Sequence, residues 1–263
     1  MKIIANRIAA VGMAAVLGTI MLTASIAYAA DPQPAQQPAP PQPAAQAAAT
    51  PPKETAPPAT KGEYLARAGD CVACHSVPGG AAFAGGLKMG SPVGNIYSTN
   101  ITPDKEFGIG NYTLADFDNA LRHGIAKDGH RLYPAMPYPS YAKLTDDDVK
   151  SLYDFFMHQV PAVHQPNKPN EIRPILSFRW PLAIWDTIFV KDGAFKPDPG
   201  HDAKWNRGAY LVESLGHCGA CHTPRNQLGG ERASLALTGG TYNDAIVDSV
   251  HEQEIVKQDK DMI

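Results

Sequence analysis

The sequence predicts an all-α protein: two small helical domains in tandem, the second incomplete, behind an export leader and a disordered Pro/Ala-rich linker. Three observations predict it. A Cys-x-x-Cys-His motif occurs twice, each time after a similar short apolar approach. Amphipathic stretches with helix-start residues lie between the two copies. Ahead of both runs a tract of Pro, Ala and Gln that has too little apolar bulk to fold.

The elements follow in chain order. Lys2 and Arg7 precede an apolar run from Ile8 to Tyr28, and Ala27-Tyr28-Ala29 supplies a small-x-small cleavage pattern, so residues 1–29 are expected to be a secretory signal peptide. Residues 30–60, with Pro32, Pro34, Pro38, Pro40, Pro41 and Pro43, are expected to form a semi-extended tether. Residues 61–165 make the first domain, 166–200 a connector and 201–263 the partial second domain. Past the leader, the most apolar run, Ser177 to Val190, is broken by Arg179, Pro181 and Asp186 and does not read as a membrane span. The formal net charge of -3 over 263 residues, with no clustered Lys and Arg, excludes a nucleic-acid partner.

All four cysteines fall in Cys71-Val72-Ala73-Cys74-His75 and Cys218-Gly219-Ala220-Cys221-His222. This is the attachment signature of c-type heme: the two thiols bond the vinyl groups and the adjacent His is the proximal iron ligand. A four-cysteine zinc site and a pair of disulfides are the alternatives, and neither explains His75 and His222 at matching positions. Gly62-Glu63-Tyr64-Leu65-Ala66 and Gly208-Ala209-Tyr210-Leu211-Val212 precede the motifs. Both predict a short helix with Tyr and Leu on the buried face, as in a duplicated domain.

In the first domain Met136 is the candidate second axial ligand, held in a loop that Pro134, Pro137 and Pro139 stiffen. Met89 and Met157 are expected to be packing residues. Thr113 is placed to cap a helix carrying Leu114, Phe117, Ala120 and Leu121 on one face. Thr145 and the acidic run Asp146–Asp148 start another, with Val149, Leu152, Tyr153 and Phe156 inward, which should pack on the helix of Tyr64 and Leu65. Asn95 to Pro103 is a polar loop that either reaches heme propionates or is plain surface.

Several of these motifs resemble one family. Gly94-Asn95-Ile96-Tyr97-Ser98-Thr99-Asn100-Ile101-Thr102-Pro103, Gly108-Ile109-Gly110, Tyr133-Pro134-Ala135-Met136-Pro137-Tyr138-Pro139, Arg179-Trp180-Pro181-Leu182 and Gly216-His217-Cys218 through Arg225 are similar to the cytochrome c subunit of membrane-bound quinone-linked dehydrogenases acting on alcohol, aldehyde, gluconate or sorbitol. The resemblance covers about Lys61 to Gly240. It implies tandem class I cytochrome c domains, with Cys71, Cys74, His75 and Met136 holding one heme c and Cys218, Cys221 and His222 a second. It further implies electron transfer from a dehydrogenase catalytic subunit toward ubiquinone or another membrane acceptor, on the periplasmic side of the inner membrane. Catalysis on substrate would belong to the partner.

The chain departs from that family after Gly240, and it carries two motifs where the family has three, as an early stop would leave it. The chain beyond His222 is shorter than the His75-to-Met136 interval and has no Met before Met262. The second heme is therefore expected to be exposed, and five-coordinate or ligated by a side chain such as His217 or His251. A free periplasmic diheme carrier, a heme peroxidase and a non-functional truncated product are the competing functions.

Overall fold

A computed structural model describes residues 60–191, 193–242 and 245–247. The leader and almost all of the linker lie outside these residues, as do His251 and Met262. Helix α1 (Lys61–Ala68) starts at Thr60, whose hydroxyl accepts the Glu63 amide. It lies across α5 (Asp146–His158), which Thr145 caps through the Asp148 amide. The crossing is close because Gly62 has no side chain: a Cβ there would sit 2.1 Å from the Ser151 carbonyl oxygen and 2.6 Å from Phe155 Cβ. Leu65 is fully buried beneath it, with Val149, Leu152, Phe155 and Phe156.

Two side chains depart from the expected helix faces. Tyr64 is 40% exposed, because the buried face of that segment is made by Gly62, Leu65 and Ala66. Leu114 is likewise exposed, since it opens α3 (Leu114–His123), while Phe117 and Leu121, one and two turns later, reach the core. A full capping box starts α3: the Thr113 hydroxyl accepts the Asp116 amide while the Asp116 carboxylate accepts the Thr113 amide. Gly124, at φ 62°, ends it in the left-handed conformation. A short turn, α4 (Tyr138–Tyr141), follows, and α2 (Cys71–Cys74) is the one-turn helix of the first motif.

The all-α expectation is overturned. Strands β1 (Lys88–Ser91), β2 (Gly94–Tyr97) and β3 (Glu171–Ile172) form a three-stranded antiparallel sheet in that order, with Lys88 opposite Tyr97 and Gly94 opposite Ile172. Gly94 makes the sheet possible, because a Cβ there would fall 2.2 Å from the Glu171 carbonyl oxygen. The side chains of Asn95 and Tyr97 then bond the Glu171 carboxylate at 2.7 and 3.0 Å. A second hairpin, β4 (Gly240–Tyr242) with β5 (Ala245–Val247), closes the described part. Each strand has four residues or fewer, too short to write an alternating apolar pattern into the sequence.

Beyond β3, α6 (Pro181–Phe189) runs through the connector. Next come α7 (Ala203–Tyr210), a π turn over Leu211–Leu215 and α8 (Gly219–His222). Tyr210 and Leu215 join the same core as Leu65, Leu144, Leu152 and Phe156. Among the described residues no helix is long and apolar enough to cross a membrane.

The capping box has a pH signature. The Thr113 amide and hydroxyl, with Lys127, pull the Asp116 carboxyl down to about 2 from its ordinary 3.8. A depressed carboxylate stabilises the fold above its unfolded pKa and loses that contribution as pH falls toward the folded one. Asp116→Asn should therefore flatten the acid limb of the stability curve between pH 3.8 and about 2. Thr113→Ala should cost about 1 kcal/mol in denaturant unfolding.

Candidate functional site

The first motif is a single helical turn wedged between special backbone conformations. Asp70 adopts φ 50°, α2 carries both sulfurs, and the His75 amide bonds back to the Cys71 carbonyl at 3.0 Å. Burial pushes the Cys71 thiol up to about 12, with the neighbouring Cys74 thiol adding to it. Burial also lowers the His75 pKa, opposed in part by a hydrogen bond to Thr99. The neutral imidazole is the form that ligates a metal. Its Nδ1–H donates to the Thr99 carbonyl at 2.7 Å, which fixes the tautomer and leaves the Nε2 lone pair for iron.

The loop after the motif holds His75 from its other side. The Gly85 amide donates to the His75 carbonyl at 2.7 Å and the Phe83 amide to the Ser76 hydroxyl at 3.0 Å. Phe83 at φ 63° and Gly85 at φ 75° are both left-handed, and a Cβ on Gly85 would meet the Thr99 carbonyl carbon at 2.4 Å. The Thr99 carbonyl is in turn located by Asn100, 2% exposed. Its side-chain amide donates to the Val163 and Gln165 carbonyls and its oxygen accepts from Thr102, while its backbone amide donates to Asn167. The stretch after β2, through Thr99 and Asn100, thus positions His75, and the Asn100 amide is fully committed inside the protein.

Met136 is half-buried in the Pro134–Pro137 loop and packs, with Cys71 and Phe83, against one core cluster. Tyr138, fully buried, anchors that loop by donating its hydroxyl to Asp186 of α6 at 2.7 Å, and Asp186 pairs with Arg131. Arg179 donates to the Arg131 carbonyl and lies over the Tyr133 ring, 4.6 Å from its centroid. Met157 packs on the core, and Met89 lies half-buried in β1.

The second motif repeats several backbone features of the first: the His222 amide bonds back to the Cys218 carbonyl at 3.0 Å, as the His75 amide does to Cys71. His217, immediately before Cys218, adopts φ 39°, matching Asp70 before Cys71. The Gly239 amide donates to the His222 carbonyl at 2.9 Å, and the Leu237 amide to the Thr223 hydroxyl at 3.0 Å. Leu237 at φ 62° and Gly239 at φ 88° stand where Phe83 and Gly85 stand. Sequence reasoning passed over these supporting residues, although Phe83-Ala84-Gly85-Gly86 and Leu237-Thr238-Gly239-Gly240 carry the signal. Of the two side chains weighed as stray ligands, His217 packs edge-on to Tyr141, centroids 5.7 Å apart, and His251 is outside the described residues.

None of the four cysteines is paired. Among the described residues, no three His, Cys, Asp or Glu side chains converge as a zinc site requires. Unpaired thiols three positions apart, followed by an imidazole tethered through Nδ1, fit covalent heme at the first motif, and the second reproduces part of its backbone frame.

No protein-family model matches the chain. It is 62% identical over 174 residues to the gluconate 2-dehydrogenase cytochrome c subunit of Pantoea cypripedii, covering 66% of this chain and 40% of that protein. It is 55% identical over 185 residues to the cytochrome c subunit of the quinone alcohol dehydrogenase of Gluconacetobacter polyoxogenes, covering 69% and 39%. A diheme c-type cytochrome of Cereibacter sphaeroides is 36% identical over 192 residues, 69% of this chain and 62% of that one. The chain thus spans about 40% of the length of the dehydrogenase subunits it matches.

Two substitutions test the site. Gly85→Ala should displace the Thr99 carbonyl from His75 and shift the reduction potential of the first heme, with covalent attachment retained; an unchanged potential would separate Thr99 from iron ligation. Met136→Ala tests the expected distal ligand: if Met136 binds the iron of a heme held at Cys71 and Cys74, the substituted protein should take up added imidazole, with a change in the absorption spectrum.

Proposed function

We propose that this chain, a homologue of the cytochrome c subunits of gluconate and quinone-linked alcohol dehydrogenases, is an electron-transfer cytochrome carrying two heme c groups. The observation that carries this reading is the shared frame around the two motifs: left-handed residues before the first cysteine, and a glycine amide on the carbonyl of the ligand histidine. Cys71 and Cys74 attach the first heme, with His75 as proximal and Met136 as distal ligand. Cys218, Cys221 and His222 hold the second. Each heme supplies a one-electron couple when bound. The chain's own residues set ligand identity, tautomer and burial, the levers that tune such a couple.

In the same reading the chain is exported and works on the periplasmic side of the inner membrane. It accepts electrons from a dehydrogenase catalytic subunit and passes them toward ubiquinone, without acting on substrate itself. The similarity to a diheme c-type cytochrome supports a second reading, a free periplasmic carrier with no dedicated enzyme partner.

Covalent heme per polypeptide, measured on protein exported from a host with c-heme attachment machinery, tests the proposal. Two hemes are expected, and co-purification with a large dehydrogenase subunit would favour the first reading over the free carrier. Exported chain with no heme would overturn both.

A further inference from the structure

The approaches to the two motifs differ by one residue. Eight residues separate Gly62 from Cys71, and nine separate Gly208 from Cys218. The Gly-Asp of the first approach and the Gly-His of the second keep the same place before the cysteine, so the extra residue falls upstream, inside the helix. There the structure has a π turn: the Gly216 amide skips a residue and bonds the Leu211 carbonyl at 2.7 Å. In the first approach the matching Gly69 amide makes an ordinary bond to Leu65 at 2.8 Å. One residue added to a helix turns everything after it by about 100°, and π bulges of this kind collect at functional positions.

The turn redirects Leu215 against the first motif. Leu215 is 1% exposed, and a Cβ on Gly69 would lie 3.2 Å from its Cδ1. The bare backbone of Gly69 is therefore the slot in which Leu215 sits. Tyr141 spans the same junction, donating its hydroxyl to the Gly69 carbonyl at 3.4 Å and setting its ring edge-on to His217. Upstream of the turn, Tyr210 is pinned by a 2.6 Å bond to the buried Asp148 carboxylate. The segments leading into Cys71 and Cys218 thus touch each other.

We propose that the π turn is a spacer that locks the second attachment loop onto the first, through Leu215 in the Gly69 slot and Tyr141 across the junction, and so fixes the separation at which the two hemes exchange electrons. Leu215, Gly69 and Tyr141 are positioning residues, and their role rests on the diheme reading above.

The test uses the full chain loaded with heme. Deleting Leu215 restores the spacing of the first motif; Gly69→Ala is the milder variant and crowds the slot without altering the second motif. In each, heme content, the electron paramagnetic resonance spectrum of the oxidised protein and the rate of electron exchange between the hemes after flash photoreduction are measured. Two hemes should remain in Gly69→Ala, with the first heme's ligand spectrum unchanged, while magnetic coupling weakens and exchange slows severalfold. The deletion should show the larger effect, up to loss of the second heme. Wild-type coupling and exchange rate in Gly69→Ala would overturn the proposal. A wild-type chain that carries a single heme would overturn the diheme reading and the proposal together.

Discussion

The constraint on which the rest of the structure depends is the orientation of one imidazole. A histidine that follows its cysteine in a single helical turn has no secondary structure to hold its ring, so the hold must come from elsewhere. The Thr99 carbonyl provides it, and Asn100 keeps that carbonyl in place with a side-chain amide bonded to the segment around Val163 and Gln165. A buried amide is stabilising only when every donor and acceptor is used, and no buried side-chain polar atom among the described residues lacks a partner. The long excursion from Asn95 to Asn170 is therefore tied together at the point where the ligand needs rigidity.

The second constraint is the shared core. Tyr210 and Leu215 belong to the second motif's approach, yet they are buried among residues of the first. Asp148 sits at that boundary, 4% exposed, with Lys61 at 2.5 Å and the Tyr210 hydroxyl at 2.6 Å. A buried carboxylate is costly unless paired and hydrogen-bonded, and this one has both kinds of partner, one from α1 and one from α7. The same residue that strengthens the start of α5 thus joins the segments leading into the two Cys-x-x-Cys-His motifs.

The parts of this arrangement legible in the sequence were those written locally. The motifs, the Thr113 and Thr145 caps and the inward stripe of α5 each need only a few adjacent residues. The sheet escaped because its strands are short and β3 joins from far along the chain, through a glycine whose role appears only when Glu171 is beside it. Asp186 escaped for the same reason: nothing near it in sequence indicates that it receives Tyr138 and Arg131. The frame around His222 was within reach, since the paired glycines after each motif are spaced from their histidines by a loop of differing length but end in the same Gly-Gly. Loop length, not chemistry, hid the repeat.

Helix α6 shows how a short apolar segment can serve as a clamp. Its nine residues are mostly apolar, and at 1.5 Å per residue they would cover less than half of a roughly 30 Å hydrocarbon core. One side is spent within the protein: the Trp185 indole donates to the Leu228 carbonyl, Asp186 takes Tyr138 and Arg131, and Phe189 fills the space that a side chain on Gly230 would need. The polar and aromatic members of the helix therefore join the loop carrying Met136 to the loop beyond His222. Ile184 and Ile188, one turn apart, remain outside. The acidic residue that breaks the apolar run in the sequence is the one that gives the helix its purpose, since a hydrocarbon side chain at 186 would leave the Tyr138 hydroxyl buried without an acceptor and Arg131 without its counter-charge.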